Sequence, residues 1–320
     1  MAKTIFRTNQ GNGFLAGTFQ PGYHGDGFGS IKQITVDGDT VNVSSKNNFP
    51  IRFLAIDTPE SKLASPETGN FIATDSDIFQ RMLADPFSNE FDPIDGMDAA
   101  LKTYIEDRKS PDAATVHNAY AKDAEDALET FLLSDQNDLG NEQYFLAFAY
   151  DALDFFGRLL AYVHPDQADT PRDERRENYN LRMLRSGLAA PYFIFPNVDP
   201  FRSRGSPLEA AAMAQDPQNI LAQAPSLRIA RQAVTQAREQ ELGIFSTDNP
   251  LQFQAFEFRF LARRSLPSRW VIDLSKNDRC LLPPQRYIEV ENLEDRLFVP
   301  SEFVPLFDAA GWECEGSLFA

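Results

Sequence analysis

The chain of 320 residues is short of cysteine, histidine and uninterrupted apolar runs. Its two cysteines, Cys280 and Cys314, lie in the last quarter without CxxC spacing, which argues against a disulfide scaffold or a thiolate metal site and leaves two free thiols. His24, His117 and His164 show neither HxxxH nor HxH spacing, and no serine stands in a GxSxG turn. A histidine-zinc centre and an acyl-transfer enzyme are therefore unsupported, and the histidines receive no role. The glycines between 11 and 29 lack the strand, GxGxxG and helix context of a nucleotide fingerprint. Nowhere do about 18 apolar residues run together, and the first residues, with Lys3 and Arg7, hold no apolar stretch of secretory length. The expectation is a cytoplasmic protein without a membrane partner, unless a leader precedes this sequence.

Basic residues are also scarce. Thirty Lys and Arg face 47 Asp and Glu, for a net charge of -17. That balance opposes nucleic acid as a partner, because phosphate backbones attract basic surfaces. Many of the acids fall between 75 and 112 and between 289 and 315, away from the residues singled out below, and charge summed over a chain does not describe the field in one cleft. At 42% hydrophobic and 24% charged, the composition is that of a soluble globular protein with one large core or two modest ones.

Along the chain, residues 1–30 are rich in Gly, Phe and Asn and read as an N-terminal extension of loop or edge strand. Alternating Ile34, Val36, Val41 and Val43, a turn at Lys46-Asn47-Asn48 and an apolar strand at 51–56 predict a hairpin of the kind found in small barrels. Residues 61–110 turn acidic, with helical pieces at 78–83 and 97–105, and read as an insertion. Ser110 and Pro111 predict the cap and first residue of a helix running to Leu133. Strands follow at 143–150 and 156–163 around a turn at 151–154, then a helix at 175–185 closed by Gly187, and a short strand at 191–196. A second insertion at 198–224 precedes a helix at 226–242 capped by Gly243. Residues 251–320 read as an α+β extension, either a small domain or a lid, with alternating Phe256, Phe258 and Phe260, apolar stretches at 270–274 and 287–290, and a short helix at 301–309.

The chemistry gathers at strand ends. Asp39 and Asp57 offer two carboxylates at one predicted rim and, with a backbone carbonyl, form an oxygen-rich site that suits a hard divalent cation. Taken singly, Asp37-Gly38 is more often a plain turn, and Asp57-Thr58-Pro59-Glu60 a turn or a helix start. Arg158 is a costly residue among Phe156, Leu159, Leu160 and Tyr162, so it wants an anion. That anion is either a ligand or a structural Asp partner.

Several stretches together resemble the staphylococcal nuclease (thermonuclease) family, in the same order. They are Asp37-Gly38-Asp39-Thr40-Val41, the run from Ile51 through Arg52, Asp57, Thr58 and Glu60 to Ser61, Gly157-Arg158, residues 180–189, and 237–246. The resemblance implies an α+β fold with a five-stranded OB-type barrel and three packed helices, spanning 31–250 and interrupted by the two insertions. It further implies a Ca²⁺-dependent endonuclease that cleaves DNA or RNA, with single strands preferred, and leaves 3′-phosphate ends. By that resemblance Asp39, Asp57 and the Thr58 carbonyl hold Ca²⁺, Glu60 acts as base or orients water, and Arg52 and Arg158 hold the phosphate. Phe156, Phe193 and Phe195 stand nearest to the residues that flank the nucleotide, where the family carries tyrosines and a lysine; for Phe193 and Phe195 the other reading is barrel packing with no ligand. The acidic insertion or the C-terminal extension would offer a surface to a protein partner, and a binding module with little catalysis is the rival reading.

Overall fold

A computed structural model describes residues 50–140, 143–154, 156–167 and 169–314, together with the backbone of four short N-terminal strands. These are β1 (Phe6–Thr8), β2 (Leu15–Gly17), β3 (Gln20–Pro21) and β4 (Val43–Ser44), paired antiparallel as β1 with β2 and β3 with β4. The chain divides into two compact units, residues 1–53 with 151–161 and residues 54–150 with 162–320. In the smaller unit, β5 (Ile51–Phe53) runs parallel to the first residues of β10 (Leu159–Pro165), with Arg52 opposite Leu160.

The larger unit is mixed α+β. Its main sheet is built from β6 (Ala55–Asp57), β11 (Ala190–Ile194), β12 (Arg269–Asp273) and β14 (Arg296–Pro300), in the spatial order β12, β14, β11, β6. Strands β6 and β11 are antiparallel, β11 and β14 parallel, and β12 and β14 antiparallel. Residues from 251 onward thus extend the same sheet as β6 and β11. Among the described residues the strands close no barrel, and the alternating stretch at 31–42 lies outside those residues.

Segment 61–110 forms a hairpin of β7 (Lys62–Ala64) and β8 (Phe71–Ala73), then helices α1 (Asp77–Ala84) and α2 (Ala99–Glu106). Helix α3 (Ala113–Leu139) is preceded by Asp112, two residues later than the Ser110-Pro111 signal, and ends on Gly140 in the left-handed conformation. Strand β9 (Tyr144–Leu153) continues through the expected turn, which falls instead at 154–158. There Asp154 accepts the backbone N–H groups of Phe156 and Arg158, and Gly157 supplies a positive φ. Helix α4 (Tyr179–Arg185) is capped by the Asn178 side chain, which accepts the Leu181 N–H. Segment 198–224 holds α5 (Pro207–Met213) and α6 (Pro217–Ala222), capped by Ser206 and Asp216, and α7 (Pro225–Glu239) follows.

Alternating phenylalanines are a strand pattern, but residues 255–262 form a helix, α8 (Ala255–Ala262). Alternation misleads here because Glu257, Phe258, Phe260, Leu261 and Ala262 are all buried, so the helix is enclosed on most of its faces. On one side Phe258 meets Phe79 of α1 edge to face at 5.2 Å, and on another Phe256 stacks on Tyr192 at 5.6 Å. The apolar stretch at 287–290 forms no strand either, and most of it belongs to a 3₁₀ turn at Pro284–Glu289. One core contains Leu63, Phe79, Met82, Leu83, Leu101 and Ile105 of segment 61–110 together with Phe258, Leu261, Val271, Tyr287 and Phe298 from beyond residue 250. The two segments bury one another's apolar surface. The last described elements are β13 (Cys280–Leu281), α9 (Val304–Ala309) and β15 (Glu313–Cys314). No helix among the described residues is long and apolar enough to cross a membrane.

Two glycines that carry the resemblance pack backbone to backbone. A Cβ on Gly187 would lie 2.3 Å from the Leu242 carbonyl oxygen, one on Gly243 would lie 2.2 Å from the Gly187 oxygen, and both have positive φ. The Ile244 N–H donates to that same Gly187 oxygen at 2.8 Å. Gly187→Ala should therefore lower stability by at least about 2 kcal/mol, measured as a fall in the urea midpoint; an unchanged midpoint would contradict this close approach.

Candidate active site

The site of the larger unit begins where the extended backbone is interrupted. Leu54 breaks it, Ala55 is held at φ 65 despite its side chain, and the Leu54 carbonyl accepts the Asn180 amide at 2.8 Å. Asn180 also accepts the Val163 N–H at 2.9 Å, which ties α4 to β10 within this unit. At Asp57, paired with Ala190 of β11, the strand ends because Pro59 has no N–H to continue a ladder.

A polar web then fixes the turn. The Glu60 N–H donates to His117 Nε2 at 2.8 Å, and the Thr74 hydroxyl donates to the Glu60 carbonyl at 2.7 Å. Asn118 donates to Thr74 Oγ1 at 2.9 Å and to the Ser61 carbonyl at 3.3 Å. Helix α3 and the end of β8 thus present Glu60 with its backbone satisfied and its carboxylate beside Asp57.

Both carboxylates meet one cation. Arg259 donates from Nη1 to Asp57 Oδ1 at 3.0 Å, from Nη2 to Asp57 Oδ2 at 2.7 Å, and from Nη1 to Glu60 Oε1 at 2.7 Å. The Asp57 side chain is 2% exposed, and that of Glu60 28%. Burial alone would disfavour the guanidinium charge, but Asp57, followed by Tyr192 and Glu60, more than offsets it and holds Arg259 above the usual arginine range. Removing this guanidinium would take the forked cation from a buried carboxylate, at a cost on the order of 3–5 kcal/mol.

The backbone of α8 keeps Arg259 in place. Glu257 accepts the Tyr104 and Tyr287 hydroxyls at 2.8 and 2.7 Å and the Gln254 N–H at 2.7 Å. These donors satisfy a carboxylate that is only 1% exposed. His117 sits edge-on to Phe258, with ring centroids 4.8 Å apart, so Glu60, His117 and α8 form one packed assembly. Among the described residues, no group of three or more Asp, Glu, His or Cys side chains converges as a metal site.

Of the other expected site residues, Arg52 and Arg158 belong to the smaller unit. Arg158 donates from Nε to Asp154 Oδ2 at 2.6 Å, and its guanidinium lies 5.4 Å from the centroid of the exposed Phe156 ring. A part-exposed pair of this kind is worth about 0–1 kcal/mol, little enough for a phosphate to compete with. Asp39 lies outside the described residues.

Residues 50–220 match the family model described as staphylococcal nuclease homologue. The chain belongs to the staphylococcal nuclease family. No curated protein matches it. The family match covers Arg52, Asp57, Thr58, Glu60 and Arg158 and stops well before Arg259, so the cation on Asp57 comes from a segment outside it.

In this family member two expected nucleotide contacts need correction. Phe193 and Phe195 follow the packing alternative: both are 0% exposed. Strand β14 pairs with β11 and makes it an interior strand, and Phe195 is ringed by Phe201, Phe303 and Phe307 at 4.9–5.3 Å. Conversely, two residues without an expected role, Arg259 and His117, lie at the carboxylates. Arg259 had the signal used for Arg158: an arginine embedded in an aromatic run, Phe256 to Phe260. His117 had none, because its partner is a backbone N–H 57 positions away.

Burial lowers the His117 pKa from 6.5 to about 4; a backbone hydrogen bond with Phe253 and the Asp57 charge oppose this, and the Arg259 charge adds a smaller contribution in the same direction as burial. The ring is therefore neutral in the fold, as its acceptor role at Nε2 requires. Between pH 6.5 and about 4 the unfolded chain binds a proton that the folded chain refuses, so stability falls as pH falls through that window, by up to about 3 kcal/mol. Urea midpoints at pH 7 and pH 4.5 should separate more in the wild type than in His117→Gln; equal separations would count against this coupling.

Proposed function

We propose that this protein is a Ca²⁺-dependent endonuclease that hydrolyses phosphodiester bonds of DNA and RNA. The observation that carries the reading is the convergence of Asp57 and Glu60 on a single positive group at 2.7–3.0 Å. The acceptors are all oxygens, which is the chemistry a hard divalent cation takes. In this reading Asp39, Asp57 and the Thr58 carbonyl hold Ca²⁺. Bound there, the ion supplies positive charge to non-bridging phosphate oxygens.

The chain's own groups do the rest. Arg52 and Arg158 bind those oxygens as forked donors, and bind them more strongly as negative charge grows in the five-coordinate transition state. Glu60, its main chain held by His117 and Thr74, orients the attacking water and takes its proton. The new bond joins water oxygen to phosphorus, the bond from phosphorus to the 5′ oxygen breaks, and that oxygen takes a proton from solvent. A 3′-phosphate end results. The exposed Phe156 ring offers a stacking face to a base, and single strands suit it best because their bases are free to stack.

Cleavage of single-stranded DNA in Ca²⁺ should stop with chelator, fall about 100-fold or more in Glu60→Gln, and fall comparably in Arg158→Ala. Activity that survives chelator and both substitutions would sink the proposal. The Arg259 contact favours one other reading, a nuclease-like module retained for binding. It predicts oligonucleotide binding without turnover, unaffected by chelator.

A further inference from the structure

The Asp57–Glu60 pair carries its own cation. Arg259 engages both oxygens of Asp57, where the reading above places the divalent ion, and one oxygen of Glu60 beside it. We propose that Arg259 is a built-in competitor for the divalent cation, so that metal enters this site only when the arginine side chain leaves. The inference rests on the proposed nuclease site and adds a control of that site from outside the family match.

The physical case has three parts. First, the contact is forked and largely desolvated, the geometry in which guanidinium and carboxylate hold each other best. A metal cannot take the guanidinium's place on those oxygens until the forked bonds break. Second, the backbone that delivers Arg259 is fixed. Its neighbours Phe258 and Phe260 are in the core, and Glu257 is held by Tyr104 and Tyr287, so release must come from the side chain alone. Third, there is space for that motion. A cavity of about 130 Å³ borders Arg259, lined also by Tyr192, Arg263 and Arg269. The positive charge of Arg263 and Arg269 makes this space a poor home for a third guanidinium, which biases Arg259 toward the carboxylates.

An equilibrium follows in which only the fraction of molecules with Arg259 withdrawn is competent for metal, and the apparent affinity is reduced by that fraction. Segment 61–110 and the residues beyond 250 share the core that holds α8, so both contribute to the restraint.

Calorimetric titration of full-length protein with Ca²⁺ alone tests this, on wild type, Arg259→Gln and Arg259→Lys, with circular dichroism to confirm folding. Arg259→Gln should bind Ca²⁺ at least about tenfold more tightly than wild type, and Arg259→Lys, which keeps the charge but loses the fork, should fall between. Adding Asp57→Asn to Arg259→Gln should remove the gain. If Arg259→Gln does not fold, the tighter binding of Arg259→Lys over wild type decides. Equal affinities in all folded forms overturn the inference, while Ca²⁺-dependent cleavage by wild type would leave the nuclease reading intact. Absence of Ca²⁺ binding from every form overturns both.

Discussion

A carboxylate buried as deeply as Asp57 must either be neutralised or be met by a cation. Here the cation is Arg259, delivered across 202 residues of sequence, and much of the larger unit can be understood as the means of delivering it. The main chain around Glu60 is fixed by His117, Thr74 and Asn118, so the second carboxylate stays within reach of the same guanidinium. On the other side, α8 is immobilised by the Glu257 hydrogen bonds and by aromatic packing on Phe79 and Tyr192. Each side supplies the charge that the other faces across this forked contact.

Two segments, 61–110 and the stretch beyond residue 250, form this environment. The first begins directly after Glu60, and its helices share a core with α8, β12 and β14. Once β14 lies beside β11, residues 193 and 195 become interior positions. Their phenylalanines then make sense as core: hydroxyl groups there would need buried partners. Tyr192 on the same strand keeps its hydroxyl and finds one, Arg269 Nη1 at 2.6 Å.

Net charge is a weak guide to this protein because its charges are so often consumed locally. Arg176 and Arg182 both serve the buried Asp135 at 2.5 Å, Arg238 serves Glu294, and Arg158 serves Asp154. What reaches a ligand is the residue left over, and that is decided by packing rather than by the sum over the chain.

Local features were legible in the sequence wherever a short-range rule governs. The helices of segment 61–110, α4, β11 and β12 follow periodicity, with Gly187 closing α4 as expected, whereas α7 stops at Glu239, with Glu241 in the left-handed conformation ahead of Gly243; the order of Asp57, Thr58, Glu60 and Arg158 carried the family. The failures share one cause. Alternating phenylalanines became a helix, Phe193 and Phe195 became core, and His117 became a backbone acceptor because contacts from distant segments enclose those residues. Which groups are present, and their order along the chain, can be read directly from the residues. Which cation the two carboxylates share is settled by folding, because a charge in a buried place takes the partner that packing brings within 3.0 Å, however far away it lies in the chain.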